Sequence, residues 1–479
     1  MQNVLSVGQM RAADLYTINE LKIPSQILMH RAGIAIADEV AAAADKIAAK
    51  KILVVCGTGN NGGDGYVCAE ELKRRGYNVI VYAMDGNFTE DCARERAKYT
   101  GEYSNNFKAD ISVDCLFGTG LCRAVSGKFA EVIEKINQSG AYVISADVPS
   151  GLNGDNGLAE GCAVKADKVV AIAEYKTGYF LNDGLDYCKV IIKKDIGITC
   201  QPHNYTQIYE DSDIKNYYPK RRRNTHKGTY GTAQLIAGSE RYIGAAALAA
   251  EAALKSGCGY VKLNTCTQNR LALAAKLPQV IYSEDIDFSA DCIAVGCGCG
   301  VSEELYKAIG SLLKSYEGTL VIDADGLNTI AKCGINILFD KKCSVVLTPH
   351  AKEFSRLSKL SVAEIISNPM AHAQNFANKY GVTVLLKSAV SVLTDGERAV
   401  LCHRGNSALA KGGSGDMLTG LICGTVARGI DGFNATAVAS YTLGLAAEIS
   451  AEEKTEYCVT SKDLIKNLHL AVRRIISTR

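Results

Sequence analysis

Residues 405–416 read Gly-Asn-Ser-Ala-Leu-Ala-Lys-Gly-Gly-Ser-Gly-Asp, and Met417, Leu418, Leu421 and Ile422 follow at helical spacing. Gly412, Gly413 and Gly415 omit the Cβ atoms that would keep a ligand off the backbone, so the run reads as a loop feeding a helix N-terminus. Unpaired amides and the positive end of the helix dipole suit a phosphate there, with Asp416 at the rim available as a base. The competing reading is a capped turn, Asp416 as N-cap and the glycines serving tight packing.

A second glycine run, Gly57-Thr-Gly-Asn-Asn-Gly-Gly-Asp-Gly65, follows the apolar segment 51–56 and leads into Tyr66, Val67, Ala69 and Leu72 on a helix. Strand, glycine loop and helix in that order hold a nucleotide phosphate at the carboxyl edge of an open α/β sheet. Asn60, Asn61 and Asp64 add side-chain oxygens suited to a hard monovalent cation or to sugar hydroxyls. A plain Asn-Gly turn is the alternative. Asp114, Asp147 and Ser150 stand where two further apolar runs end, and three such ends carrying oxygen ligands favour convergence on the Asn60–Asp64 loop over simple helix capping. In the second half, Gly296–Gly300, Asp323-Ala-Asp325, Thr348-Pro-His350 and Lys387-Ser388 occupy the corresponding places. Cation and N–H donors around a phosphate, with a base for an attacking hydroxyl, meet the needs of phosphoryl transfer.

Apolar residues recur at three and four from Arg11 to Ala44, with Pro24 between two runs, and predict two helices. Strands are expected at 51–57, 78–83, 111–117, 142–146, 168–173 and 189–192, alternating with helical stretches, which predicts a Rossmann-like parallel sheet. The polar segment 211–224, with Lys220-Arg-Arg-Arg223, marks the join, read as solvated linker charge. Domains of 1–215 and 216–479 follow. The second repeats the logic with strands at 233–237, 260–263, 292–295, 320–323, 344–347 and 382–386, an alanine-rich helix over 245–254, and a last helix entered at Asp416. A second parallel α/β domain is predicted.

Lys+Arg 53 against Asp+Glu 51 leaves a net charge of +2, which gives no electrostatic reason to expect nucleic acid or a membrane as partner and favours a small-molecule ligand. The 18 cysteines are scattered through apolar runs and read as buried thiols. Cys297 and Cys299 lack the partners of a zinc site. With no apolar export segment near Met1, a reducing cytoplasm is expected.

The motifs Gly57–Gly65, Phe117-Gly-Thr-Gly-Leu121 and Asp147-Val-Pro-Ser-Gly-Leu152 resemble the NAD(P)H-hydrate epimerase domain over about 1–215. That resemblance implies substrate contacts from Asn60, Asn61, Gly62, Gly63 and Asp64, from Gly118, Thr119, Gly120, Leu121, Cys122, Arg123 and Ala124, and from Asp147. It also implies a potassium ion at Asn61, Asp114 and Ser150. His30 stands where the family usually has Glu. Lys227-Gly-x-Tyr-Gly231, Ile236–Ser239, Asp323–Asp325, Asn328, Thr348-Pro-His350 with Glu353, and Lys411–Gly420 resemble the ADP- or ATP-dependent NAD(P)H-hydrate dehydratase domain, a ribokinase-like fold, over about 225–475.

The second resemblance implies substrate contacts at Gly298, His350 and Asp416. Nucleotide contacts are implied from Lys387, Ser388, Ala389, Val390 and Ser391, and from Asn406, Ser407, Ala408, Leu409, Ala410, Lys411, Gly412, Gly413, Ser414 and Gly415. Lys352 and Ser388 depart from the common residues. The expected activity is repair of NADH and NADPH hydrates: the first domain interconverts R and S forms with Asp147 handling the proton. The second dehydrates the S form using ADP or ATP with Mg²⁺, Asp416 being the base. A homo-oligomer is expected. The alternatives are a ribokinase-like vitamin or sugar kinase, and a non-catalytic ligand-binding first domain. A dinucleotide-dependent dehydrogenase is disfavoured by the glycine spacing.

Overall fold

A computed structural model describes residues 1–121 and 123–478. The chain forms two compact units, Asn3–Tyr205 and a second that runs from Thr206 onward and takes in Met1 and Gln2. Thr206–Ile208 pairs in parallel with Ala399–Cys402, which is why the second unit begins there.

The first unit is built on a seven-stranded sheet in the order Glu102–Tyr103, Val79–Ala83, Ile52–Cys56, Ile111–Cys115, Tyr142–Ala146, Lys168–Ile172, Ile191–Lys194. Every neighbouring pair is parallel. Ile52–Cys56 at its centre is wholly buried, as a strand covered by helices on both faces must be. Helices Val7–Asn19 and Ser25–Ile47 match the two apolar runs, the first opened by a capping box between Ser6 and Gln9.

One expectation about this unit needs correcting. The helix after Ile52–Cys56 starts at Asn60, not at Tyr66, so most of the glycine run lies inside it. A Cβ on Gly62 would sit 2.1 Å from the carbonyl oxygen of Gly57, and one on Gly63 would sit 2.6 Å from Met29 Sδ. Gly62 brings the helix end hard against the turn after Ile52–Cys56 and Gly63 brings it against the helix Ser25–Ile47, rather than forming a loop.

In the second unit the order is Ile281–Tyr282, Tyr260–Asn264, Thr232–Ile236, Cys292–Val295, Thr319–Ile322, Ser344–Leu347, Thr383–Leu386, Ser391–Thr394, Ala399–Cys402, Thr206–Ile208. The first seven strands are parallel. The sheet is not parallel throughout, however: Ser391–Thr394 runs antiparallel to both its neighbours. The short link 387–390 allows only a reversal, since a parallel return needs a crossover of a dozen or so residues. The alanine-rich helix Ile243–Ser256 packs on Ser414–Ala427 so closely that a Cβ on Gly420 would lie 2.0 Å from Ala249 O. Long helices Gly432–Cys458 and Ser461–Ser477 follow. Among the described residues no helix is long and apolar enough to cross a membrane.

Candidate active sites

A cavity of about 720 Å³ opens at the sheet edge of the first unit. Asn60, Asn61 and Asp64 line it from the helix N-terminus, Gly118, Thr119 and Gly120 from the turn after Ile111–Cys115, and Asp147 from the end of Tyr142–Ala146. Three strand exits thus meet at one hollow, the usual ligand position in such sheets. Gly62 and Gly63 lie beneath the wall, and Leu121, Arg123 and Ala124 are not part of it. Cys122 lies outside the described residues.

Asp114 is fully buried. Ser150 Oγ donates to its Oδ1 at 2.6 Å and Ser145 Oγ to its Oδ2 at 2.8 Å, with the amides of Ser150 and Leu116 at 2.9 and 3.2 Å. Burial raises this carboxyl above its ordinary range, and the Ser150 and Ser145 hydrogen bonds oppose the rise. All of these donors are neutral. The Asn61 side-chain nitrogen is also buried and has no partner among the described residues. A buried carboxylate whose donors are all neutral offers its oxygens to a monovalent cation, whereas the orphaned Asn61 nitrogen is a donor and supplies no ligand.

Asp147 has φ 60, a left-handed backbone that a non-glycine residue keeps only where its surroundings enforce it. The enforcement is visible. Tyr179 Oη donates to Asp147 O at 2.6 Å, and Lys176, 1% exposed, ion-pairs with Asp147 Oδ1 while donating to Ile172 O at 2.6 Å. Asp14, Asp64 and Asp91 complete the acidic lining. Burial first, then the Asp147 charge, push Asp14 up to about 6, with Lys176 opposing. Asp64 is pushed well above the carboxylate range by burial, then by Asp147 and Asp14.

Sequence reasoning missed Asp14, Lys176 and Tyr179. Lys176 had a signal, since it follows a strand exit as Asp147 does. Asp14 had a misleading one: Arg11, Asp14, Leu15 and Ile18 recur at helical spacing, and that stripe lines the cavity, Leu15 58% exposed and only Ile18 also packing on the core.

In the second unit the helix begins at Ser414 with Gly413 (φ 95) as its N-cap, so Asp416 stands in the first turn and is neither the entry nor the cap. Nothing lies within 4 Å of where a Cβ on Gly412 would be. A Cβ on Gly415 would meet only Lys387 Nζ at 3.5 Å and Asp323 Oδ2 at 3.6 Å. The Ser414 hydroxyl is buried with no partner among the described residues. An open backbone, an orphaned hydroxyl and an ammonium together form a bed for an anion.

Beneath it Asp323, 2% exposed, accepts from Lys387 Nζ at 2.8 Å and from Thr419 Oγ1 at 2.7 Å. Burial alone would lower the Lys387 ammonium, but Asp323 and Glu353 raise it overall. Lys387 is therefore a paired internal charge, not the surface lysine its type suggests. Burial raises Asp416 above the ordinary carboxylate range, a hydrogen bond with Cys297 lowers it, and Asp323 raises it further. His350 caps the helix Ala351–Ser358, its Nδ1 accepting from the amides of Lys352 and Glu353 at 3.1 and 3.3 Å. Burial and then Lys387 keep that ring below its usual range, hence neutral.

Gly298 (φ 65) turns the chain after Cys292–Val295, packed on Tyr242 and Ala245. Ser388 and Ala389 are exposed, Val390 is buried, and Ser391 starts the next strand. Asn406 caps the short turn Ser407–Leu409, and Ala410 ends it. The Lys411 ammonium is occupied by the carbonyls of Glu456 and Tyr457 at 3.1 and 3.0 Å, tying the loop to the end of Gly432–Cys458.

Two α/β units with carboxylates and helix N-termini gathered at strand exits define a two-site enzyme. A family model described as YjeF-related protein N-terminus matches residues 25–178, and one described as NAD(P)H-hydrate dehydratase matches 233–470. A bifunctional NAD(P)H-hydrate repair enzyme of Thermofilum pendens is 33% identical over 98% of this chain and 96% of its own. One of Pyrobaculum aerophilum is 32% identical over 99% of both. The chain belongs to the bifunctional NAD(P)H-hydrate repair enzyme family. The second unit is similar to the ADP/ATP-dependent NAD(P)H-hydrate dehydratase of Bacillus subtilis co-crystallised with ATP and Mg²⁺. That match has TM-score 0.52 and 28% identity, and covers 56% of this chain and 99% of the other.

Proposed function

We propose that the first unit interconverts the R and S hydrates of NADH and NADPH and that the second dehydrates the S form with ADP or ATP. The observation that carries the second assignment is Asp416 standing in the first turn of a helix whose open end holds Gly412, the unpartnered Ser414 hydroxyl and Gly415 beside Lys387. Asp416 takes the proton of the ring hydroxyl as that oxygen attacks the terminal phosphoryl group. The helix amides and Lys387 stabilise the transferring charge, and the phosphorylated oxygen then leaves in place of hydroxide. Mg²⁺ supplies charge neutralisation on the nucleotide phosphates. Lys387–Ser391 and Asn406–Gly415 bind the nucleotide, while Gly298 and His350 contact the substrate.

In the first unit Asn60–Asp64 and Gly118–Ala124 hold the coenzyme and Asp147 handles the proton. Asn61, Asp114 and Ser150 hold potassium, which supplies the missing counter-charge to Asp114. Free cysteines throughout the described residues support a reducing cytoplasm.

The test is incubation of the pure protein with mixed R and S hydrates, Mg²⁺, K⁺ and either ADP or ATP, following the absorbance of the reduced coenzyme. Full recovery is expected. Recovery that halts at one epimer removes the epimerase assignment, and a stable phosphorylated vitamin or sugar without recovery replaces the dehydratase by a kinase.

A further inference from the structure

The cavity of the first unit carries more acid than binding requires. Asp14, Asp64 and Asp147 all line it. Asp147 gives Oδ1 to Lys176, and its Oδ2 stands 3.5 Å from where a Cβ on Gly118 would project. Asp14 comes from a different wall, the helix Val7–Asn19. It is half-buried, accepts no hydrogen bond and joins no ion pair among the described residues. A half-buried carboxyl group on a ligand cavity, with no structural partner, does nothing to hold the fold.

We propose that Asp14 is the second acid–base residue of the epimerase site, acting with Asp147 on the ring carbon that bears the hydroxyl. This rests on the epimerase reading given above. Water adding to the enamine double bond of a reduced nicotinamide places its hydroxyl on the carbon beside the ring nitrogen, because the cation formed there is an iminium. In one direction the Asp14 carboxyl gives its proton to that hydroxyl. The C–O bond breaks as the nitrogen lone pair forms C=N, and water departs. A water then adds to the opposite face of the planar carbon, the electron pair returns to nitrogen, and the surplus proton passes to the Asp147 carboxylate. Solvent carries the proton back to Asp14, nothing is oxidised or reduced, and in the reverse direction the two residues exchange roles.

The surroundings suit the parts. Burial and the Asp147 charge, against Lys176, bring Asp14 to about 6, where it both keeps and releases a proton near neutrality. Asp64 is pushed well above the ordinary carboxylate range by burial and by the charges of Asp147 and Asp14. Arg11 on the same helix is turned to Thr119 O at 3.3 Å, Asp91 on the cavity wall is engaged by Ser25 Oγ at 2.7 Å and Arg94 at 3.2 Å, and Cys200 is a further titratable neighbour.

The experiment uses the full chain with Asp14→Asn and Asp14→Glu. Conversion of purified R hydrate to S is followed by chromatography between pH 5 and 8, with the spontaneous rate subtracted. Dehydration of purified S hydrate by the second unit serves as the fold control. Asp14→Asn is expected to lower kcat for epimerisation by about 10²–10³-fold, with KM little changed. The decline in wild-type rate as pH rises through about 6 disappears in Asp14→Asn and is partly restored in Asp14→Glu. An Asp14→Asn protein with wild-type kcat, with an unchanged pH profile, or with a loss confined to KM overturns the proposal. A wild-type protein that leaves R hydrate unconverted overturns the epimerase reading and the proposal with it.

Discussion

Replacing Lys387 by Met removes an ammonium from under the second site while keeping most of the side-chain stem. The ammonium lies 2.8 Å from Asp323 Oδ1, and the two side chains are only 20% and 2% exposed. Without it Asp323 keeps the hydrogen bond from Thr419 Oγ1 at 2.7 Å but no counter-charge from lysine. Leaving one member of a buried pair uncompensated costs about 3–5 kcal/mol, whereas neutralising both members is close to neutral. At roughly 2–4 °C per kcal/mol for a large domain, Lys387→Met should lower the melting transition of the second unit by on the order of 10 °C.

The double variant Lys387→Met, Asp323→Asn should recover most of that loss. Calorimetry of the full chain identifies the relevant transition as the one that ADP or ATP moves. Dehydration does not return in the double variant, since the ammonium beside Gly415 is still missing. A single variant that melts with the wild type, or a double variant no more stable than the single, refutes the reasoning.

Asp416→Asn should lower S-hydrate dehydration by about 10²–10⁴-fold while R-to-S conversion continues, as measured by separate epimerisation and absorbance assays. Because Asp416 is raised by burial, it loses its basic form at a higher pH than an ordinary carboxylate. The acid side of the dehydration profile should therefore lie above the usual carboxylate range, and a profile flat down to that range contradicts the assignment. Gly62→Ala puts a Cβ 2.1 Å from Gly57 O and should unfold or misplace the helix Asn60–Arg74. Epimerisation is then lost with dehydration retained, and the melting of the first unit reports the cause. Asp114→Asn removes the buried carboxylate and should abolish any dependence of epimerisation on potassium, read by replacing K⁺ with a larger organic cation.

Short apolar runs closed by glycine, such as Ile52–Cys56 and Cys292–Val295, were legible because a strand buried on both faces must be apolar at every position. Their exits named Asn61, Asp114, Asp147, Asp323 and Asp416 for the same reason: an open α/β sheet places its ligands at those edges. What a chain pattern cannot carry is which surface meets which. The stripe of Arg11, Asp14, Leu15 and Ile18 has the period of a core-facing helix, yet it looks into the cavity, and only packing distinguishes the two. The glycines at 62 and 63 announce close approach without saying to what, so a helix end pressed on a strand exit and a neighbouring helix reads as a loop. Lys176 and Lys387 are ordinary lysines until the fold delivers Asp147 to one and Asp323 to the other. Periodicity records the local shape of the chain, whereas a buried charge is settled by partners brought from far along it.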